Sequence, residues 1–322
     1  MKRQLPLLTI IGDVGVDLVM GPIDGWPAIG TESLMNRSEL RAGGSGGNTA
    51  LAASYLGAES RLVSAVGNDA LGTWLREQFS SLNASLSACS ATTSVTVGFI
   101  HACGERTFFT TRGHLEAFAY EHVRPLLHPT PNAGSIAMLC GAFLTPALRK
   151  SYPRLIGELV ELGYEVALDT GWPPDGWSDA SRVEVAGWLR QCDHVLLNEL
   201  EVVSLADRPD LDAATTRVAS MLKPGATLVV KTGERGALGI QRGKRLEFGA
   251  EKLAVFDTIG AGDSFNAGYL LSRLSGGDLA ATLVAGCQAA GSIISRFPRR
   301  QIRPGELAGY LSLSPVAAAN SG

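Results

Sequence analysis

The feature that most restricts the fold is a regular alternation of short apolar segments and helical segments between residues 135 and 230. Residues 135–140, Glu165–Leu168, 195–197 and 227–230 are apolar enough for buried strands, and helical periodicity fills the intervals near 147–162, 181–190 and 213–222. Such alternation is typical of a parallel sheet with helices on both faces.

Ligands of parallel α/β sheets bind at the carboxyl ends of the strands. That rule singles out Asp169, Asn198, Lys231 and the loop 257–263 as a candidate site. The 322 residues are enough for one large α/β domain, and we expect a single domain over residues 1–322.

Composition excludes several classes of function. The net charge is −3, and 18% charged with 45% hydrophobic residues describe a compact soluble enzyme, not a disordered or nucleic-acid-binding chain. The five cysteines form no CxxC pair, which argues against a zinc site and for a reducing compartment. No segment is long and apolar enough to span a membrane. We therefore expect a cytoplasmic protein with no nucleic-acid partner and no membrane partner.

Residues 253–274 combine an apolar segment, a glycine-rich turn and a helical pattern. We interpret 253–256 as a buried strand and place Asp263 at the start of the following helix. Gly260 and Gly262 let backbone N–H groups converge with the positive end of the helix dipole, which favours an anion and keeps a nearby carboxylate ionised. Such a carboxylate could be the general base for an attacking hydroxyl. The alternative is that Asp263 only caps the helix.

The heptapeptide DTIGAGD, residues 257–263, resembles the C-terminal signature of the PfkB (ribokinase-like) carbohydrate kinase family. The resemblance implies that Asp263 is the catalytic base. It also implies an anion hole made by three consecutive backbone amides, those of Gly260, Ala261 and Gly262. By the same resemblance Thr258 would contact the nucleotide, and Asp257 would contribute to a site for a monovalent cation such as K⁺.

A second glycine-rich segment, residues 43–48, precedes another helical pattern. It is neither a Walker A loop, since GxxxxGK[ST] occurs nowhere in the sequence, nor a GxGxxG fingerprint. It resembles the first PfkB signature, in which the double glycine, Gly43 and Gly44, and the amide of Asn48 would hold the sugar.

Asp13 and Asp17 follow the first apolar segment and would share one face of an extended chain, about 13 Å apart. We interpret Asp13 as part of a solvated edge strand. Asp17 matches the position at which the family binds substrate hydroxyls. Two neighbours depart from the family pattern, since Gly15 stands where Asn is common and Ser45 where some members carry Lys.

The nucleotide side resembles the family at two strand ends. Asn198 and Glu201 match its N-x-x-E element, which implies that they bind nucleotide phosphates and hold Mg²⁺ through water, although an acidic helix N-terminus fits the same residues. Lys231, Thr232 and Gly233 resemble the nucleotide-side turn, although Lys231 could also be a solvated strand end. Asp169 receives no role, and the five histidines are expected at the surface or in hairpins.

Residues 92–101 and 106–111 have the pattern of a hairpin. It could face solvent, but the resemblance favours a lid over the substrate, formed by about 15–42 and 94–112, through which two copies could form a homodimer. The expected fold is α/β, a ribokinase-like three-layer sandwich with a mostly parallel central sheet and a small β-sheet lid.

The resemblance implies ATP-dependent phosphorylation of a hydroxyl group on a small sugar or sugar-like substrate, with Mg²⁺ and K⁺ as cofactors. Two alternatives stay open. One is a nucleoside kinase of the same fold. The other is a catalytically silent regulator that binds a sugar or a nucleotide.

Overall fold

The computed structural model describes residues 7–130 and 132–296. The strands are β1 (Leu8–Ile11), β2 (Gly15–Ile23), β3 (Arg37–Gly43), β4 (Ser60–Gly67), β5 (Asn83–Cys89), β6 (Val95–His101), β7 (Arg106–Thr110), β8 (Ile136–Leu139), β9 (Glu165–Leu168), β10 (His194–Asn198), β11 (Thr227–Lys231), β12 (Ala237–Gln241) and β13 (Lys244–Phe248). The helices are α1 (Ser45–Tyr55), α2 (Ala70–Gln78), α3 (Gly113–Ala117), α4 (Tyr120–Val123), α5 (Pro146–Arg149), α6 (Tyr152–Glu161), α7 (Asp179–Leu189), α8 (Glu199–Ala206), α9 (Leu211–Ala219), α10 (Ala261–Leu274) and α11 (Leu279–Ile294). Short 3₁₀ helices lie at Arg124–Leu126, Ala142–Leu144 and Gly233–Arg235.

Nine of these strands form the central sheet, in the order β13-β12-β11-β10-β9-β8-β1-β4-β5. All neighbouring strands from β11 to β5 are parallel, whereas β12 pairs antiparallel with both β11 and β13. Parallel neighbours require a crossover that returns the chain to the same edge, which the intervening helices provide. The carboxyl ends of β1, β9, β10 and β11 therefore lie along one edge of the sheet.

Helices cover both faces of the central sheet. Successive strand residues point to opposite faces, so Ile11 and Leu139 pack with Trp188 in one core, while Ile10 and Met138 pack in the other. Burial of each large apolar side chain stabilises the fold by roughly 1.5–3 kcal/mol. The sheet is thus the middle layer of a three-layer sandwich, as expected from the sequence.

The remaining four strands form a separate small sheet in the order β3-β2-β6-β7. β2 pairs antiparallel with β3 and parallel with β6, and β6 pairs antiparallel with β7 in the expected hairpin. Asp17 lies opposite Arg41 on one side and opposite Thr96 on the other, so these three side chains share a face. We call it the inner face of the small sheet.

The expected buried strand at 253–256 was wrong. The structure has no strand there, and Leu253 and Val255 are 41% and 47% exposed. The Phe256 N–H donates to the Ile294 carbonyl at the end of α11 (2.9 Å), so this segment bonds to a helix end and not to the sheet. A four-residue apolar run does not distinguish these two partners.

Other differences have local causes. The helix expected near 147–162 is split into α5 and α6, because Pro153 lies in the first turn of α6 and its nitrogen cannot donate to a preceding turn. The expected surface position was wrong for His114 and His194, which are both buried. His114 accepts a hydrogen bond from the Ser94 N–H (2.9 Å), and burial lowers its pKa.

No helix within the described parts of the chain is both long and apolar enough to cross a membrane.

Candidate active site

The predicted site residues converge at the carboxyl edge of the central sheet. Asp169 follows β9, Asn198 ends β10 and Lys231 ends β11, and Asp13, which was not predicted as a site residue, follows β1 at the same edge. The N-termini of α1 and α10 add the two glycine-rich segments to the same region, since helix α1 packs on α10. The strand-end rule therefore selected positions that the fold brings together.

Asp263 lies in the first turn of α10 and contacts the first glycine-rich motif. The Asn48 side-chain amide donates from Nδ2 to Oδ2 of Asp263 over 3.0 Å, although 215 residues separate the two. Helix α10 begins after Gly260, whose φ of 72° is left-handed, and no side chain caps it. The geometry therefore gives no support to the alternative in which Asp263 is only a helix cap.

The sequence predicted that the helix dipole keeps Asp263 ionised, but in the structure the pKa of this carboxyl is raised. The pKa of Asp263 is raised to about 8, mainly by burial and also by the nearby carboxylate of Asp169. Lys231 and the Asn48 hydrogen bond act in the opposite direction but do not compensate. The favourable helix dipole is thus outweighed by desolvation and by like charges.

One of the three amides predicted to form the anion hole donates a hydrogen bond within the protein. The Ala261 N–H donates to the Thr258 carbonyl over 3.2 Å. For the N–H groups of Gly260 and Gly262 the described residues provide no hydrogen-bond acceptor. A Cβ added at Gly262 would lie 3.5 Å from Nζ of Lys231, so the ammonium group faces this turn. The arrangement combines backbone donors with one positive charge, as an anion site requires.

Lys231 is an internal cation, and the alternative of a solvated strand end was wrong. Its side chain is 12% exposed, and Nζ donates to Asp169 Oδ2 (2.7 Å) and to Asn266 Oδ1 (3.2 Å). Asn266 also donates to the same Asp169 oxygen over 2.6 Å. Burial lowers the pKa of Lys231, but the carboxylates of Asp169 and Glu201 raise it more, so the net direction is upward. Asp169, which had no predicted role, orients this cation.

Asn198 and Glu201 form a reciprocal cap at the start of α8. The Asn198 Oδ1 accepts from the Glu201 N–H, and the Glu201 Oε2 accepts from the Asn198 N–H, both at 2.8 Å. The cap agrees with the alternative reading of these residues, yet Glu201 is only 3% exposed, which a cap alone does not require. Its pKa is raised to about 7, because burial and the Asp169 carboxylate raise it by more than Lys231 lowers it.

Asp13 is buried, so its assignment to a solvated edge was wrong. Its Oδ1 accepts from the Ser45 N–H (3.0 Å) and the Gly46 N–H (3.4 Å), the first amides of α1. Gly44 precedes them with a φ of 85°, and a Cβ there would lie 2.6 Å from the Asp13 carbonyl oxygen. Asp13 thus anchors the helix that carries Asn48. Extended-strand parity did not reveal this, because the chain leaves β1 before Asp13.

Asp17 lies against the double glycine of the first motif. A Cβ added at Gly43 would overlap the carboxylate of Asp17, so only glycine leaves room for that side chain. Gly43 is opposite Gly15 in the β2–β3 register, and Asp17 is half-buried on the inner face. The structure therefore brings three residues predicted to bind the sugar, Asp17, Gly43 and Gly44, to the start of α1.

The remaining predicted residues are less closely tied to this centre. Thr232 lines a cavity of about 380 Å³ together with Arg235 and Arg245, and no other predicted site residue lines it. Gly233 has a φ of 60° and begins a 3₁₀ turn. Asp257 is paired with arginines of β3, as described below. No cluster of three or more His, Cys, Asp or Glu side chains suited to a metal occurs in residues 7–130 and 132–296.

The chain matches the family of pfkB family carbohydrate kinases over residues 14–299. This match covers most of the sequence, and the chain belongs to that family. Its members are sugar or nucleoside kinases, so the protein is a kinase of the carbohydrate or nucleoside type.

Similar proteins include sugar and nucleoside kinases. A fructokinase of Salmonella typhimurium is 29% identical over 243 residues, which cover 73% of this chain and 78% of the relative. A nucleoside kinase of Methanothermobacter thermautotrophicus is 25% identical over 84% of each chain. The structure of Arabidopsis thaliana ribokinase with ribose and ATP superposes with a TM-score of 0.75 at 21% identity, covering 94% of this chain and 98% of the ribokinase. The fold is therefore ribokinase-like, as predicted.

Proposed function

We propose that this protein transfers the γ-phosphoryl group of ATP to a hydroxyl of a small sugar or sugar-like acceptor. One observation carries the proposal, the 3.0 Å hydrogen bond from Asn48 to Asp263. It joins the motif that resembles a sugar site to the motif that resembles a phosphoryl-transfer site. An acceptor hydroxyl held by the Asn48 amide would lie next to a carboxylate that can take its proton.

In this proposal Asp263 is the general base and must be ionised to act. Its pKa of about 8 is lowered by any added positive charge, and Lys231 already acts in that direction. The amides of Gly260, Ala261 and Gly262 hold the charge of the transferred group, and the Ala261 N–H exchanges its 3.2 Å bond to Thr258 for the phosphoryl oxygen.

The nucleotide would be held on the side of the strand ends after β10 and β11. Asn198, Glu201, Lys231, Thr232, Gly233 and Thr258 are the proposed contacts. Mg²⁺ bound with ATP supplies charge neutralisation of the phosphates, and it keeps several waters in protein sites. Glu201 fits a water-mediated contact, because Oε1 of this carboxyl has no hydrogen bond to the described residues, whereas Oε2 is used in the cap.

The acceptor would be held by Asp17, Gly43, Gly44 and Asn48, with the small sheet as the lid. The inner face of that sheet carries Asp17, Thr96 and Phe108, which the strand register aligns across β2, β6 and β7. Polar groups on this face can bind the hydroxyls of a sugar, and an aromatic ring can pack on its apolar C–H groups.

An ADP-release assay over a panel of sugars, sugar acids and nucleosides, with Mg²⁺-ATP as the donor, tests the proposal. We expect acceptor-dependent ADP release that is lost in Asp263→Asn. A protein that binds a panel member without ADP release is the silent regulator instead.

A nucleoside acceptor is the second candidate, because Phe108 is 48% exposed on the inner face and lies over Gly98. An exposed aromatic ring can stack on a base, which is worth about 1–3 kcal/mol. Phe108→Ala should then raise KM for a nucleoside much more than KM for a sugar. Phe109→Ala is the matched control, because the neighbouring residue points to the opposite face.

A further inference from the structure

The carboxylate of Asp257 lies among positive charges from the small sheet. Its Oδ2 is 2.9 Å from Nη2 of Arg37 and 3.3 Å from Nη1 of Arg41, and its side chain is only 2% exposed. Glu39 lies between the two arginines on β3 and pairs with both. Two guanidinium groups and two carboxylates thus form one cluster at the start of the 257–263 loop.

The alternation of β3 explains why the cluster forms. Arg37, Glu39 and Arg41 are half-buried on the inner face, whereas Ser38 and Leu40 between them are exposed. Arg37 also lies over the ring of Phe256, with 4.2 Å from its Cζ to the ring centroid. A carboxylate as buried as that of Asp257 requires a positive partner, and here β3 supplies it.

The same carboxylate connects to the candidate anion hole. Its second oxygen, Oδ1, accepts from the Ile259 N–H over 3.0 Å, and Ile259 immediately precedes Gly260. On the other side, the Phe256 N–H is bound to the end of α11. Asp257 is therefore the link between the arginines of β3 and the backbone that leads into the turn.

These contacts do not fit the monovalent cation that the family resemblance assigned to Asp257. A cation bound to Oδ2 would lie within a few ångströms of both guanidinium groups, and like charges at that distance repel each other strongly in a buried site. No step of the proposed reaction requires the cation.

We propose that Arg37 and Arg41 replace the monovalent cation at Asp257 and act as positioning residues for the 258–262 loop. The protein is then indifferent to K⁺. The role of the loop in phosphoryl transfer rests on the proposed function, but the replacement of the cation by arginines does not.

The first test uses the wild-type protein and needs no substrate. Its melting temperature is measured in KCl, NaCl and choline chloride at equal ionic strength. We expect the same value in all three salts. A melting temperature that rises by several degrees in K⁺ alone overturns the proposal.

The second test exposes the carboxylate to cations. Arg37→Gln/Arg41→Gln removes the guanidinium charges of Arg37 and Arg41 from Asp257, so we expect a lower melting temperature that K⁺ raises selectively over choline. Arg37→Lys/Arg41→Lys keeps the charges and should stay indifferent to K⁺. Arg245→Gln is a matched control, because Arg245 pairs with the exposed carboxylates of Asp212 and Glu247 and with neither Asp257 nor Glu39.

Kinetics separates positioning from stability. With an acceptor from the panel, the double glutamine variant should lose turnover severalfold, and K⁺ should restore part of it. A double glutamine variant as stable and as active as the wild type overturns the proposal. If the double variant does not fold, the single variant Arg41→Gln is used, and wild-type stability together with wild-type activity in that variant overturns the proposal. If no panel member is phosphorylated, the proposed function fails while the salt dependence of melting still decides the inference.

Discussion

Asp263→Asn is the change that most directly tests the assignment of the base. The amide has nearly the same shape as the carboxyl, and its oxygen can still accept the hydrogen bond from Asn48. It cannot take a proton from the attacking hydroxyl. General-base catalysis contributes roughly 10²–10⁴-fold. At about 1.4 kcal/mol for each factor of ten, the barrier should rise by about 3–5.5 kcal/mol.

The same substitution should not destabilise the protein. The pKa of Asp263 is raised to about 8 in the folded state, so the folded state holds the proton more tightly than the unfolded chain does. Stability from this source is complete below the unfolded pKa near 4 and is lost as the pH rises through about 8. Asparagine has no such proton, so the melting temperature of the variant should exceed that of the wild type more at pH 9 than at pH 5.

The assay combines three measurements on one preparation. ADP release gives kcat, titration with ATP gives the nucleotide affinity, and thermal melting at the two pH values gives stability. We expect kcat to fall at least about a hundredfold with nucleotide affinity close to that of the wild type. A variant that keeps half or more of the wild-type kcat refutes the reasoning, because Asp263 would then have no part in proton transfer.

The pH dependence and three substitutions test the roles of the other site residues. For the free enzyme, kcat/KM should increase with pH up to an apparent pKa near 8, because Asp263 must lose its proton before it can act as a base. Glu201→Gln should raise the Mg²⁺ concentration for half-maximal rate, while glutamine preserves the cap with Asn198. Asp17→Ala should raise the acceptor KM and spare that of ATP, because each lost charge-assisted hydrogen bond costs roughly 1.5–3 kcal/mol. Gly43→Ala should have the same effect, because its new methyl group displaces the Asp17 carboxylate.

Each of these has a contrary outcome. An acidic limb near pH 4 would show that another group or bound Mg²⁺ sets the profile. An unchanged Mg²⁺ titration would leave Glu201 with its cap alone. A raised KM for ATP with an unchanged acceptor KM in Asp17→Ala or Gly43→Ala would show that the acceptor was assigned to the wrong end of the site. Glu199→Gln is the matched control for Glu201→Gln, because Glu199 lies on the same helix turn but is partly exposed and pairs with Arg235.

The sequence predicted those parts of the site that depend on local pattern. Asn198 and Lys231 follow apolar runs, and the strand-end rule needs only that order. The contact between Asn48 and Asp263 was not predictable in this way, because it depends on how α1 and α10 pack. The same holds for the pKa of Asp263, which burial and a distant carboxylate determine.

Asp13 and the segment 253–256 show why the local sequence pattern fails where a strand ends or a loop begins. The parity of an extended chain misplaces Asp13, because its side chain turns back to bind the start of α1. The apolar residues before Asp257 predict a strand, yet their backbone binds the end of α11. In both cases the deciding partner is far away in the sequence, and periodicity carries no information about it.

At the contact between α1 and α10, the N-terminal part of the site, which carries the acceptor residues, meets the C-terminal part, which carries the nucleotide residues, and this separation along the sequence matters for chimeric proteins. Four proposed acceptor-binding residues, Asp17, Gly43, Gly44 and Asn48, lie before residue 49, on β2, at the end of β3 and at the start of α1, and the proposed nucleotide-binding residues all lie after residue 197. A chimera that takes its first 48 residues from another member of the family would exchange these four acceptor contacts and keep the nucleotide end. The hydrogen bond from Asn48 to Asp263 crosses that junction, so a functional chimera must retain both partners.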